Sequence, residues 1–281
     1  MEVQWYPGHM AKARRMMEEN IRLIDVVVEL VDARIPLSTR NPDIDSLAAN
    51  KARVLGMTKA DLADPQMTIR WQEYFEHQGL IVCALDAKSR PDLRRLSEAI
   101  QKAGTPVLER NRKRGLLNRP LRAMITGIPN VGKSTLINSM TGSSSAKTGN
   151  LPGVTKGKQW IRTGKDLEFL DTPGLLWPKF EDPDSGRKIA LIGSISDNVV
   201  DEIETALFLL RLISEYYPDN LKKTYALAEM TKPEQMLAEI AVVRGCLQKG
   251  GEPDLVRAAK LLLVEYRRGS IGRMTLEAPK E

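Results

Sequence analysis

Histidine and cysteine are nearly absent from this chain, and their scarcity removes several chemistries at once. With only His9 and His77 there is no histidine-rich metal centre. Cys83 and Cys246 lie far apart and form no CxxC pair, which gives no zinc site and fits a reducing compartment. No apolar run approaches the ~20 residues a membrane-spanning helix needs. The opening "MEVQWYPGHMAKARR" lacks the apolar core of a secretory signal. A cytoplasmic protein with no membrane partner is therefore expected. Internal repeats and low-complexity tracts are missing as well.

What is there is a chain of 281 residues, 42% hydrophobic and 28% charged, long enough for one large domain or two smaller ones. Its net charge of +6 is unevenly spread. Residues 1–182 carry 28 basic and 21 acidic side chains, and 183–281 carry 14 and 15. Within the first part, "RNRKRGLLNRPLR" (110–122) holds six basic residues and no acid. It reads either as a solvated linker or as a surface for a polyanion, whose counterions clustered Lys and Arg release.

Apolar runs bounded by turn signals recur at 24–33, 53–58, 80–85 and 121–127, with amphipathic stretches such as "SLAANK" and "QMTIRWQEYFEHQG" between them. Strands alternating with helices predict βαβ units and a mostly parallel sheet. Residues 158–174 read instead as a hairpin turning at Gly164-Lys165, with its second strand ending at Asp171. Long helical patterns follow, which places a domain boundary at 180/181: an α/β domain, then a small all-α domain. In the last helix, Leu255, Ala258, Ala259, Leu262 and Tyr266 form a core stripe. Arg257, Lys260, Arg267 and Arg268 gather on another face, either solvated or facing RNA.

"GIPNVGKST" (127–135) satisfies G-x-x-x-x-G-K-[ST] with Gly127, Gly132, Lys133 and Ser134, after a strand and opening a helix. Backbone N–H groups of Asn130, Val131, Gly132, Lys133, Ser134 and Thr135 are expected to wrap phosphate oxygens at a helix N-terminus. Lys133 would reach the β- and γ-phosphates, and Ser134 would ligate Mg²⁺. "DTPG" (171–174) follows, with Asp171 toward Mg²⁺ and the Gly174 N–H toward the γ-phosphate. Between them, Thr155 in "LPGVTKG" is the natural switch threonine completing the Mg²⁺ shell.

A base-reading motif precedes these. In "GMTKADL" (56–62), Thr58-Lys59-Ala60-Asp61 nearly matches Asn-Lys-x-Asp. Asp61 would accept from guanine N1–H and the exocyclic amine, a donor pair adenine lacks, and Lys59 would lie along the base. Thr58 replaces an amide that could bridge base and phosphate loop, which predicts lowered affinity. Asp86-Ala87-Lys88, after the next strand, would back the ring. The order is base loops, phosphate loop, switch threonine, Asp-Thr-Pro-Gly, which is a circular permutation of the usual GTPase order. A basic linker near 104–120 would join the old ends.

This order, with "PGHM", "VDARIPLSTRNP", "GIPNVGKSTLIN" and "DTPGLLWPKF", resembles the circularly permuted ribosome-assembly GTPases of the ribosome-biogenesis GTPase A type, over nearly the whole chain. The resemblance implies a GTPase that binds a late precursor of the large ribosomal subunit. It also implies a C-terminal helical domain against ribosomal RNA. A monomer in solution is expected.

Ras-type enzymes orient water with a Gln directly after Asp-x-x-Gly. Here that position is Leu175, so intrinsic hydrolysis is expected to be slow. His9 either orients or deprotonates water, or merely caps the helix that follows it. Asn130 stands where K⁺-using GTPases place a side-chain oxygen ligand, or serves the turn alone. Arg34, Arg40 and Asn41 could order the switch or touch RNA, or Arg34 could pair with Asp32. Two other functional classes stay open: an RNA-binding scaffold with structural nucleotide, and an RNA-modifying enzyme, for which no second catalytic constellation is visible.

Overall fold

The structure is a computed structural model that describes residues 8–116, 119–142, 159–172, 174, 176, 183–195, 200–227, 230 and 232–279, the backbone alone for 8–13, 159 and 183. Its centre is a six-stranded sheet. The strands are β1 (Val26–Asp32), β2 (Ala52–Thr58), β3 (Ile81–Leu85), β4 (Leu121–Gly127), β5 (Gln159–Thr163) and β6 (Leu167–Asp171), in the order β3-β2-β1-β4-β6-β5. All neighbours are parallel except β5 and β6, which form the expected hairpin around Gly164 at φ +63°.

Every residue of β1 is buried, as befits a central parallel strand covered on both faces. Alternation divides its neighbours. Val31, Leu55 and Met57 meet Trp71 and Phe75 of the helix Pro65–His77, while Val26, Val28, Leu30 and Val54 belong to the core that contains Leu96 and Ile100 of the helix Arg90–Lys113. In chain order the first five helices are α1 (Gly8–Asn20), the short α2 (Asp43–Leu47), these two as α3 and α4, and α5 (Lys133–Thr141). "SLAANK", read as amphipathic, becomes the end of α2 and a turn, because the helix closes at Leu47.

The supposed basic linker from 104 is largely helix, which corrects that expectation. α4 continues through Gly104 and Pro106 to Lys113. Gly104 lies so close to β4 that a Cβ there would stand 2.5 Å from Leu121 Cδ1. Packing on the sheet thus carries the helix through two residues that read as breakers. Arg110, Arg112 and Lys113 fill its last turn, where cations complement the helix dipole.

The boundary at 180/181 falls outside the described residues. Beyond it come α6 (Pro183–Leu191), α7 (Glu202–Tyr216), α8 (Pro218–Tyr225), α9 (Pro233–Val243) and α10 (Leu255–Arg268). Asp201 and Asp254 cap α7 and α10 by accepting backbone N–H bonds. The predicted stripe of α10 is inside: Ala258, Ala259, Leu262 and Tyr266 are buried, joined by Leu263, with Leu255 half-buried. After Gly269 the chain leaves the helices and runs back along the sheet-side loops, with Ile271, Met274 and Leu276 buried.

Candidate nucleotide site

Beyond β1 the chain moves outward to β2 and β3, then returns to the other side of β1 with β4. That reversal makes the gap between β1 and β4 a topological switch point, where ligands bind beyond the carboxyl ends of strands. The loops after β1, β2, β3, β4 and β6 all leave from that same edge. They carry "DARIP", "TKAD", "DAK", "IPNVGKS" and "TPG".

The loop after β4 is shaped by backbone conformations most residues avoid. Gly127 sits at φ +149°, and a Cβ there would meet Leu30 O at 2.6 Å. Asn130 has φ +59°, and Gly132, at φ +107°, precedes the first residue of α5. Lys133 is buried, and its Nζ donates to Gly127 O at 3.1 Å and Ile128 O at 2.7 Å. Burial, with Lys59 nearby adding to it and Asp171 opposing, pushes its ammonium down to about 8. Val131 is fully buried, and Ser134 and Thr135 are half-buried in the first turn of α5. Asp171 is buried at the end of β6, and Thr172 anchors the next step by donating to Ile125 O at 2.7 Å. Gly174 packs on the phosphate loop: a Cβ there would stand 2.8 Å from Pro129 Cα.

The base loop is bonded directly to this one. Thr58 Oγ1 lies 2.6 Å from Val131 O and 3.0 Å from Val31 O, and Lys59 Nζ donates to Asn130 O at 2.9 Å. The expected loss of a bridge at Thr58 is therefore corrected in one respect. The hydroxyl, a shorter group than the amide, still reaches the phosphate loop. Asp61 is exposed, and its carboxyl is raised above the usual value by partial burial and by Asp86. The Ala60 N–H donates to Leu85 O at 3.3 Å, joining this loop to Asp86-Ala87-Lys88. There the Lys88 N–H donates to Asp86 Oδ1 at 2.9 Å, and Ala87 is buried.

Asp32, at the end of β1, was not singled out as a site residue by sequence. Fully buried, it pairs with Lys59 at 2.9 Å and takes two bonds from Arg34, from Nε at 2.9 Å and NH2 at 2.8 Å. Burial alone would raise its carboxyl, but Arg34 and Lys59 bring it well below the usual range. An acidic residue at the very end of a fully buried, mostly apolar strand was the available signal. Arg34 thus takes the pairing role, with its guanidinium 5.1 Å from the Tyr266 ring centroid. Arg40 pairs with Glu29 at 3.7 Å and Asp45 at 2.6 Å, and the Asn41 N–H donates to Glu29 Oε1. Ser194 was also missed. Buried just beyond α6, it donates to Pro129 O at 2.6 Å, while the amide nitrogen of Asn130 donates to Gly193 O.

One supposed RNA-facing residue is placed elsewhere. Arg267 is half-buried and donates to Leu191 O at 2.9 Å and Ala190 O at 3.0 Å, satisfying carbonyls at the end of α6. The helix turn that aligns it with Arg268 also carries it against α6. Arg257, Lys260 and Arg268 are exposed, and Lys260 forms an ion pair with Glu202 at 3.3 Å. Thr155, Leu175 and the side chain of His9 lie outside the described residues; the His9 backbone is in the first turn of α1.

A phosphate-type loop between strand and helix, tied to a Thr-Lys-x-Asp loop on the same sheet edge, defines a P-loop GTPase with permuted motif order. A family model described as "50S ribosome-binding GTPase" matches residues 122–242. Relatives called ribosome biogenesis GTPase A are 45% identical in Priestia megaterium, over 100% of this chain and 98% of theirs, and 44% identical in Bacillus cereus, over 100% and 95%. The chain belongs to the ribosome biogenesis GTPase A family. The fold agrees with a GDP-bound structure of TM YlqF (26% identity, 95% of this chain and 100% of that one, TM-score 0.70). It also agrees with a GNP-bound YlqF from T. maritima (28%, 96% and 99%, TM-score 0.67).

Proposed function

We propose that this GTPase binds and hydrolyses GTP as an assembly switch for late maturation of the large ribosomal subunit, with turnover stimulated by the particle. The observation that carries the nucleotide reading is the direct bonding of the two loops. Thr58 to Val131 O and Lys59 to Asn130 O fix the base-reading and phosphate-holding backbones at one spacing. A ligand that has both a guanine and a phosphate chain, as GTP does, matches that pairing. The names of the relatives and the family model supply the ribosomal direction.

In this reading the 1–180 unit holds nucleotide and the 181–281 unit meets ribosomal RNA through Arg257, Lys260 and Arg268. Lys133 leaves the carbonyls of Gly127 and Ile128 for phosphate oxygens, and the N-terminus of α5 faces the same charge. Asp61 reads the guanine edge, Lys59 lies along the ring, and Asp86-Ala87-Lys88 back it. Ser134, Thr155 and Asp171 would hold Mg²⁺, since two hydroxyls and a carboxylate are hard-oxygen ligands suited to that ion. When bound there, the ion would supply positive charge against the charge that develops on the transferred phosphoryl group. Asn130 would offer its side-chain oxygen to K⁺, a further positive charge at the same place. His9 is assigned the water, because Leu175 offers no polar group at the position where Ras-type enzymes place Gln.

The test is GTP turnover in K⁺ buffer, alone and with large or small ribosomal subunits. Slow basal turnover with strong stimulation by the large subunit or its precursor is the expected result. Stimulation by neither, together with normal subunit assembly by a Lys133→Ala protein, would sink the switch in favour of an RNA-binding scaffold with structural nucleotide. The cytoplasm and a monomeric state complete the proposal, the latter checked by sedimentation.

A further inference from the structure

The segment 271–277 crosses the outer side of the base loop as a strap. The Arg273 guanidinium donates to Ala63 O at 2.8 Å and Ala60 O at 2.9 Å, bracketing Asp61 from both ends of its turn. The Met274 N–H donates to Leu62 O at 3.1 Å, and the Asp64 N–H donates to Thr275 Oγ1 at 3.2 Å. The strap is itself anchored. The Leu276 N–H donates to Arg34 O at 2.8 Å, Trp71 Nε1 donates to Glu277 O at 3.1 Å, and Lys188 pairs with Glu277 at 3.3 Å. The bonds from Arg273, Met274 and Thr275 leave the helical unit for residues 60–64 of the base loop. Their partners, the carbonyls of Ala60, Leu62 and Ala63 and the amide of Asp64, shape the turn holding Asp61.

We propose that the strap is part of the base-recognition apparatus, with Arg273 a positioning residue that holds the Asp61 turn at the spacing a guanine edge requires. The proposal rests on the reading of Thr58-Lys59-Ala60-Asp61 as the guanine loop. Arg273 suits the task because its planar fork reaches two carbonyls at once, which a single-point cation does less well. A carboxylate that must accept from both N1–H and the exocyclic amine tolerates little displacement, so losing the bracket costs selectivity before it costs fold. Phosphate binding is set by a different loop and stays largely unaffected.

The experiment titrates the full chain with fluorescent GDP, IDP and XDP, using Arg273→Ala, Arg273→Lys and Asp61→Asn proteins. IDP lacks the exocyclic amine, so the GDP-to-IDP affinity ratio reports the Asp61 contact. Asp61→Asn should move preference toward XDP, whose 2-oxo group accepts from an amide. Arg273→Ala should weaken GDP by roughly fivefold, the loss of one or two charged hydrogen bonds near solvent. IDP should weaken less, and Arg273→Lys should recover part of the ratio. A shift to XDP in Asp61→Asn with an unchanged GDP-to-IDP ratio in Arg273→Ala would overturn the strap proposal while leaving the guanine loop intact. Equal losses for GDP and IDP would overturn it too, as the mark of general destabilisation. No change in base preference on Asp61→Asn would remove the guanine loop and the strap together.

Discussion

The phosphate loop takes its shape from its own backbone and lysine: Lys133 bonds the carbonyls of residues six and five positions earlier, the glycine conformations set the turn, and outside donors such as Ser194 add to a path already drawn. The base loop is held from outside. Its lysine leans on Asp32 and Asn130, its threonine on Val131, and its turn on Arg273, more than 200 residues away along the chain. A loop that wraps phosphates needs only a repeated local geometry, because every phosphate oxygen accepts alike. A loop that distinguishes one base from another must be fixed relative to the ligand's other end, and neighbours in sequence cannot supply that reference.

The contrast is broken most severely at Asp32. Asp32→Ala would leave Arg34 buried with no counter-charge and release Lys59, at an expected cost of about 3–5 kcal/mol of stability. Chemical denaturation of the nucleotide-free protein measures this. A cost under about 1 kcal/mol would mean that water or a shifted neighbour replaces the carboxylate. A smaller effect is expected where the two loops meet. Thr58→Val keeps the shape but removes the hydroxyl, leaving Val131 O short of a donor, and should weaken GDP roughly tenfold with little change in melting temperature. Unchanged GDP affinity would show that the loops hold their spacing without this bond.

The smallest effect sharpens the phosphate side. With Lys133 near 8 before nucleotide arrives, the ammonium is already formed well below that pH. Above it, binding must take up a proton, because phosphate raises the lysine again. Calorimetry of GDP binding in buffers of differing ionisation enthalpy should give an uptake of about half a proton at pH 8, and at pH 6.5 no uptake but a release from the GDP phosphate, which itself titrates at about pH 6. Affinity should therefore fall as pH rises above 8. An uptake that does not vary between those pH values would place the lysine elsewhere on the scale.

The strands, the hairpin at Gly164, the stripe of α10 and the permuted motif order are all legible in the sequence, because each is a short-range regularity. Alternating burial, a helical period, a glycine that must turn and a lysine after it recur wherever the same local backbone is needed. The extent of α4 was hidden, since Gly104 and Pro106 look like an ending until Leu121 is seen packed against the helix. The same holds for Arg267, basic by its letters yet spent on the carbonyls of Ala190 and Leu191. By itself the sequence determined the sheet, the phosphate loop and the family. Only the tertiary structure decided that Asp32 anchors the base lysine, that Thr58 bridges the loops and that the chain's last segment binds the base turn. The physical reason lies in the acceptors. Most of these contacts end on backbone carbonyls, which every residue carries, so no residue type marks them until folding brings donor and acceptor within about 3 Å.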